Sequence, residues 1–130
     1  MTRDLPTDEE VLTATDVLIR ACHLRAWNAG WYHDLETGEE KQLNMGERLA
    51  LIHSEISEAL EGHRKNLMDD KLPHRKMVPV ELFDAVIRIM DLVGRHYHED
   101  APALLEKLKY NDGRADHKRE NRIKSDGKKF

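Results

Sequence analysis

A single sixteen-residue segment constrains this fold more than any other part of the chain. Residues 80–95 read Val-Glu-Leu-Phe-Asp-Ala-Val-Ile-Arg-Ile-Met-Asp-Leu-Val-Gly-Arg, and only five of these positions are charged. Their spacings of 3, 4, 3 and 4 place them on one stripe of a helix: Glu81, Asp84, Arg88, Asp91 and Arg95. A helix that is apolar on its other sides is normally buried, and buried carboxylates need cations or hydrogen-bond donors. The segment therefore predicts a buried helix and a positive partner for Glu81 and Asp84.

A second pair of acids precedes this segment. Residues 49–61 contain Glu55 and Glu58, three apart and hence on one helical face. If the two helices pack antiparallel, Glu55-x-x-Glu58 and Glu81-x-x-Asp84 surround one point, where four carboxylates repel one another unless a cation lies between them. Mg²⁺ or Mn²⁺ is the expected occupant, because hard cations take oxygen ligands. The alternative is that these acids only form ion pairs with Arg88, Arg95 or Lys65.

The remaining sequence predicts an all-α fold with four main helices. They extend from about Asp8 to Ala29, Met45 to Lys65, Pro79 to His96, and from an Asp100 cap to about Tyr110. Capping boxes at Thr7/Glu10 and Asn44/Glu47 support the first two, and Gly30 is the expected stop of the first. The predicted core stripes are Leu12, Thr15, Ile19, Cys22 and Ala26 on the first helix, and Leu49, Ile52, Ile56 and Leu60 on the second.

Composition limits the classes of protein that this chain can belong to. At 130 residues, with 39% apolar and 35% charged residues, it is expected to form one domain, residues 1–130, whose core is completed by oligomerisation. The single Cys22 fits a reducing cytosol, and neither a membrane span nor a signal peptide is visible, so we expect a cytoplasmic protein without membrane partners.

Charge is unevenly distributed along the chain. Residues 107–130 hold nine Lys/Arg and four Asp/Glu, a net +5, which leaves −9 for the remainder. Residues from about 112 to 130 are therefore expected to form a basic C-terminal tail, extended or partly disordered. Such a tail could bind nucleic acid or approach a phosphate held at an acidic metal site.

Two further groups of residues are candidates for substrate binding. His23, Trp27 and Trp31 mark the end of the first helix, where they could pack in the core or an interface, or form an aromatic wall for a base. Lys65, Lys71 and Arg75 belong to a basic loop around residues 66–79, which is either solvated or a lid that brings cations to phosphates. Asp91 is predicted to be a structural partner of Arg88 or Arg95.

The four acids, with several flanking segments, resemble the MazG-like all-α nucleoside triphosphate pyrophosphohydrolases, in particular their short phage and bacterial members. The matching segments lie between about His23 and Phe130. They are Asn-Ala-Gly-Trp at 28–31, Gly-Glu-Arg-Leu-Ala-Leu-Ile-His-Ser-Glu at 46–55, Asp-Asp-Lys-Leu-Pro at 69–73, Lys-Tyr-Asn at 109–111 and Gly-Lys-Lys-Phe at 127–130. Residues 115–125 depart from the family pattern, because they are longer and more charged than in related short members.

The resemblance implies hydrolysis of an NTP or dNTP to the monophosphate and pyrophosphate. It implies Mg²⁺ or Mn²⁺ on Glu55, Glu58, Glu81 and Asp84, with Glu55 or Glu58 also acting on the attacking water, and a homodimer or homotetramer. It implies base binding near His23, Trp27 or Trp31. Phosphate or sugar contacts would fall at Lys109, Tyr110, Asn111 and Arg114. Short members of the family include MazZ-like enzymes that consume dGTP or GTP, although no residue discussed here selects guanine.

Two other interpretations of the sequence make different predictions. The basic tail would suit a nucleic-acid-binding helical module, whose binding would be salt-sensitive and would survive loss of Glu55 and Glu81. The acids could also be structural ion pairs in a helical interaction protein without catalytic activity. Stabilisation by Mg²⁺ would distinguish the enzyme from the second rival.

Overall fold

The computed structural model describes residues 2–130 and confirms the all-α class. The helices are α1 (Asp8–Asn28), α2 (Met45–Lys65), α3 (Met77–His96), α4 (Ala103–Gly113) and α5 (Arg119–Arg122), with 3₁₀ turns at His98–Asp100 and Ala115–His117. Over these described residues there are no strands, only isolated bridges at His33/Glu40 and Met68/Lys76. None of the helices in residues 2–130 is both long and apolar enough to cross a membrane.

The predicted signals set the ends of the first two helices. The Thr7 hydroxyl accepts from the Glu10 backbone N–H at 3.2 Å, and the Glu10 carboxylate accepts from the Thr7 N–H at 2.7 Å. Asn44 caps α2 by accepting from the Glu47 N–H at 3.1 Å. Helix α1 ends with Gly30 in the left-handed region (φ 79°), where its N–H donates to the Trp27 carbonyl.

Helices α3 and α4 begin away from the predicted positions. Helix α3 starts at Met77, two residues before Pro79, so the proline still lies in the first turn, where its missing N–H costs nothing. Helix α4 starts after Pro102 and not at an Asp100 cap, because Asp100 closes the preceding 3₁₀ turn. The C-terminal segment is also more ordered than predicted, since it contains α5 and a 3₁₀ turn.

The chain forms two compact units. One comprises Leu18–His98 and contains the end of α1 with the whole of α2 and α3. In this unit α2 and α3 pack as an antiparallel pair: Gly62, near the end of α2, contacts Met77 at the start of α3, and Arg48 near the start of α2 faces Asp91 near the end of α3. The other unit combines the described N-terminal residues up to Val17 with Glu99–Phe130.

The inner faces of α2 and α3 are not the faces that apolar stripes predicted. Of the predicted stripe, Ile52 is half-buried, but Leu49, Ile56 and Leu60 are 48–59% exposed, so assigning these three to the core of this chain was wrong. Apart from Leu92 on α3, the buried positions are instead small or acidic: Glu55, Ala59 and Gly62 on α2, and Glu81, Ala85 and Asp91 on α3. Large apolar side chains of α3 point outward, among them Phe83 at 66% and Ile87 at 49% exposure. The paired helices therefore bury their carboxylates and expose much of their apolar surface.

Helix α1 packs closely against α3 at a glycine. A Cβ atom added to Gly94 would lie 2.6 Å from the Cβ of His23 and 3.0 Å from a methyl of Ile19, so no larger residue fits without movement of the helices. Ile19 and Cys22 are buried, as predicted, whereas Leu12 is 39% exposed. This contact fixes His23 beside the C-terminal half of α3.

Candidate metal site and adjoining polar cluster

Three of the four predicted acids meet between α2 and α3. Glu55 on α2 and Glu81 and Asp84 on α3 each offer a carboxylate oxygen, and these oxygens all lie within 4.8 Å of one another. Glu55 and Glu81 are 8% and 7% exposed, and Asp84 is half-buried. Such an arrangement could hold a metal ion, and its all-oxygen donor set suits Mg²⁺ or Mn²⁺ better than a softer metal.

Glu58 joins the cluster from its exposed side. Its side chain hydrogen-bonds with Glu55 and Glu81, although the residue itself is exposed to solvent. Because an acid can hydrogen-bond to another acid only when one of them is protonated, these contacts agree with the raised pKa of Glu81. Glu58 is thus the member of the cluster that water reaches most easily.

Arg88 is the one cation that contacts the cluster directly among residues 2–130. Its Nε donates to Glu55 at 2.6 Å, which realises part of the predicted ion-pair alternative. One guanidinium cannot neutralise four carboxylates, however. Glu81 and Asp84 have no salt bridge to a basic side chain anywhere in the described part of the chain.

The pKa values of the acids in the cluster reflect this excess of negative over positive charge. Burial, together with hydrogen bonds to Glu58 and Glu55, raises the pKa of Glu81 to about 7. Burial and the negative charges of Glu55 and Asp69 also raise the pKa of Asp84. Burial has the same tendency at Glu55, but hydrogen bonds from Arg88 and the neighbouring acids outweigh it and lower the pKa. The site therefore favours uptake of a proton or of another cation.

The loop between α2 and α3 adds one acid and one cation. Asp69 is only 3% exposed, and its carboxylate accepts from the backbone N–H groups of Lys71 and Leu72 at 2.9 and 2.6 Å. The charge of Asp69 acts on Asp84, and Lys71 lies within the field of Glu81. Sequence reasoning missed Asp69 as a site residue. The Asp-Asp pair before Lys71 was visible, but the local turn that buries the first aspartate was not.

The three predicted loop cations have different environments. Lys71 pairs with Asp70 at 3.1 Å, a contact that, with the charges of Asp69 and Glu81, raises the pKa of the lysine. Lys65 is held by Glu61 at 2.5 Å on the exposed surface of α2. Arg75 is exposed. Of the three, Lys71 is the one that the structure places in electrostatic contact with the acids.

Another buried carboxylate lies further along α3 and has different neighbours. Asp91 is 8% exposed, its Oδ1 lies 2.9 Å from Nδ1 of His23, and its Oδ2 lies 3.9 Å from Arg48. Burial and a hydrogen bond to Asp91 raise the pKa of the Tyr32 hydroxyl. Assignment of Asp91 to Arg88 or Arg95 was wrong, because Arg88 binds Glu55 and Arg95 binds Glu40.

The aromatic residues after α1 do not form a continuous wall. Trp27 stacks with Tyr32 at 6.2 Å, meets His33 edge-on at 4.5 Å, and carries the Arg95 guanidinium over its ring. Trp31 follows the end of the helix and is 68% exposed, so Trp27 and Trp31 do not lie on one helical face. His23 belongs with Trp27 and Tyr32, since its ring contacts both.

The predicted C-terminal binding residues lie in the other unit. Lys109 forms an ion pair with Asp8, and Arg114 binds Asp116 through two hydrogen bonds of 2.9 and 2.7 Å. Tyr110 is 64% exposed beneath the Lys107 ammonium group. The Oδ1 atom of Asn111 is buried and has no hydrogen-bond partner within residues 2–130. An unsatisfied buried acceptor is unusual, which keeps Asn111 a binding candidate.

Comparison with known proteins identifies no relative: no family model, no curated protein and no solved structure matches this chain. The chemistry of the site must therefore be judged from its own geometry. Closely spaced buried carboxylates with raised pKa values are suited to binding a divalent cation, and such a cation can in turn bind phosphate oxygens.

Proposed function

We propose that this protein is a divalent-metal-dependent nucleoside triphosphate pyrophosphohydrolase of the MazG-like kind. The observation that supports it is the convergence of Glu55, Glu81 and Asp84 within 4.8 Å in a largely buried position, with a single arginine to offset them. In a purely structural role, neutral or paired side chains would be more stable, because buried like charges disfavour ionisation. The family resemblance agrees with this geometry.

In the proposed site, Glu55, Glu81 and Asp84 would hold Mg²⁺ or Mn²⁺, and Glu58 would complete the set or act beside it. The bound ion supplies positive charge to the triphosphate and lowers the pKa of water. Arg88 keeps Glu55 ionised through its 2.6 Å hydrogen bond. Lys71, on the adjacent loop, would offset the negative charge of the pyrophosphate leaving group.

The proposed reaction is hydrolysis at the α-phosphorus. Water attacks the α-phosphorus of an NTP or dNTP, the bond from that phosphorus to the bridging oxygen breaks, and pyrophosphate leaves with the bond electrons. Glu58 is placed to take the proton from the attacking water, because it belongs to the cluster and is exposed to solvent. Guanine nucleotides, dGTP and GTP, are one candidate substrate pair.

The test is to incubate the protein with each of the eight standard NTPs and dNTPs and Mg²⁺, in water enriched in oxygen-18. Appearance of monophosphate and pyrophosphate, with the heavy oxygen in the monophosphate, supports attack at the α-phosphorus. The matched variants are Glu58→Gln and Glu61→Gln, which remove the same charge from the same helix, inside and outside the cluster. Equal activity in the two variants, or absence of turnover for all eight nucleotides, would reject the proposal.

We also propose that the enzyme is a homo-oligomer, a dimer or a tetramer, assembled through the outer faces of α2 and α3. Several large apolar side chains on these faces are 38–66% exposed: Leu49, Ile56, Leu60, Leu82, Phe83, Ile87 and Ile89. Burial of such side chains contributes about 1.5–3 kcal/mol each when complete. So many exposed large apolar side chains on two neighbouring helices are typical of an interface and not of a monomer.

Light scattering after gel filtration would test the assembly. Phe83→Asp should dissociate it, whereas Leu5→Asp is a matched control, because Leu5 is a 79% exposed apolar residue outside these helices. A wild-type protein that is monomeric at micromolar concentration would refute the oligomer without affecting the metal-site proposal.

A further inference from the structure

The C-terminal segment, predicted to be extended, folds back on itself around a basic cavity. The cavity has a volume of about 440 Å³ and is lined by His117, Arg119, Arg122, Ile123, Lys128 and Lys129. Four of these six residues are permanent cations, and none is an acid. A concave surface of this size falls within the range of small-ligand sites.

The cavity is maintained by backbone contacts and not by neutralising acids. The Arg122 guanidinium donates to the carbonyls of Lys128 and Lys129 at 3.2 and 3.1 Å. The Lys129 ammonium donates to the carbonyls of Arg122 and Lys124 at 3.1 and 2.9 Å. Gly127 permits this return of the chain, because a Cβ atom there would lie 2.4 Å from the Asn121 carbonyl oxygen.

The charges of the cavity are only slightly compensated. Lys128 lies 3.7 Å from Asp116, but Arg119, Arg122 and Lys129 have no carboxylate partner among residues 2–130. Cations gathered at a concave surface reinforce one another's field and attract an anion. Arginine in particular binds phosphate oxygens through its planar array of donors.

A neighbouring cavity provides an internal comparison. It is lined by two acids and two lysines, Asp116, Asp126, Lys124 and Lys128, together with Ala115, Asn121 and Gly127. Its formal charge is balanced, so the excess positive charge of the segment is concentrated at the first cavity. The first cavity also has no Trp, Tyr or Phe in its lining, so it lacks the stacking surfaces by which proteins bind single-stranded nucleic acid.

We propose that the cavity formed by residues 117–129 binds a small phosphate anion of the pyrophosphate type. This site is made from a different part of the chain than the acidic cluster, and the proposal does not require the protein to hydrolyse nucleotides. It assigns a ligand to residues 115–125, the segment in which this chain departs from the family pattern.

The experiment is a calorimetric titration of the full-length protein with pyrophosphate in EDTA, which prevents binding through a metal at the acidic cluster. We expect Arg119→Gln to weaken binding about tenfold or more, because a charge-assisted hydrogen bond is lost. Lys124→Gln removes the same charge from the neighbouring cavity and should change the affinity less than about twofold by long-range screening alone. The backbone carbonyl of Arg119 accepts from the Ile123 N–H, a contact that is kept in Arg119→Gln, and amide chemical shifts of residues 115–127 would verify that the segment stays folded.

Three results would overturn the proposal. Equal weakening in Arg119→Gln and Lys124→Gln would mean diffuse attraction and not a site. Binding of pyrophosphate only when Mg²⁺ replaces EDTA, with loss of that binding in Glu81→Gln, would place the anion at the acidic cluster. Binding of a short single-stranded oligonucleotide, with no binding of pyrophosphate at millimolar concentration, would identify a nucleic-acid surface instead.

Discussion

The carboxylates in the two halves of α3 have opposite surroundings. In the first half, Glu81 and Asp84 face further acids, and Arg88 forms a direct ion pair only with Glu55. In the second half, Asp91 is just as buried but lies between His23, Arg48 and the Tyr32 hydroxyl. A buried carboxylate that is surrounded by hydrogen-bond donors and cations has its charge compensated within the protein. Carboxylates that face one another need a proton or another cation to compensate their charge. The contrast separates an acid that is paired within the chain from a cluster of acids with an excess of negative charge, the cluster at which we propose that a cation binds.

The largest expected effect is on turnover. Glu81→Gln and Glu58→Gln should each lower kcat/KM by about 10³-fold or more, equivalent to about 4 kcal/mol in the transition state. Helicity measured by circular dichroism should stay unchanged, because both side chains lie on already formed helices. Glu61→Gln serves as the control, since Glu61 pairs only with Arg64 and Lys65 on the exposed surface. Retention of near-normal pyrophosphate release by Glu81→Gln would refute the metal-site assignment.

The next largest effect tests Asp91, the paired carboxylate in the second half of α3. Asp91→Asn keeps the shape of the side chain but removes the charge that faces His23 and Arg48, and it should reduce the free energy of unfolding by about 3 kcal/mol. Urea denaturation of the metal-free protein would measure the loss. If Asp91→Asn were neutral, the distinction between the two halves of α3 would fail.

Addition of Mg²⁺ should stabilise the protein only through the acids in the first half of α3. At a concentration about 100 times its Kd, the ion should stabilise the folded protein by about 2.7 kcal/mol. The rise in Tm should be lost in the double variant Glu81→Gln/Asp84→Asn and retained in Asp91→Asn. A thermal shift that persists without both acids would place the ion elsewhere.

The smallest effect concerns pH. Because the pKa of Glu81 is raised from 4.5 to about 7 by burial and its acidic neighbours, its contribution to stability is present below pH 4.5 and is lost as pH rises through 7. The metal-free protein should therefore lose on the order of 2 kcal/mol over this interval from Glu81 alone. Glu81→Gln should remove most of this dependence, so its unfolding free energy at pH 8 should exceed that of the wild type. A pH profile identical in the two proteins would contradict the raised pKa.

The sequence predicted those features that depend on near neighbours. Thr7, Asn44 and Gly30 act within a few residues of themselves, and the helix ends that they define were placed correctly. The convergence of the acids was also predictable, since a 3-residue spacing fixes a helical face and a short connection makes the two helices antiparallel.

Features that depend on distant partners were not predictable from one sequence. Asp91 binds His23, which lies 68 positions away, whereas periodicity offered only its helical neighbours. Leu49, Ile56 and Leu60 were assigned to the core because apolar residues are commonly buried. In the structure, however, α2 and α3 pack against each other through their small residues. Helical periodicity predicts which residues share a face, and it does not identify the surface that will cover that face.

If the acidic cluster binds a cation, as proposed, the small residues of α2 and α3 have a consequence for which cation it prefers. Ala59 and Ala85 are 5% and 3% exposed, and Gly62 meets Met77 so closely that an added Cβ would lie 2.9 Å from its side chain. These residues carry no ligand atom, yet they set the separation of the two helix axes and hence the distance between carboxylates on opposite helices. Enlarging Ala59 or Ala85 would widen that gap and shift preference from Mg²⁺ toward a cation of larger radius, such as Ca²⁺. The width of an ion site can thus be determined by methyl groups that never touch the ion.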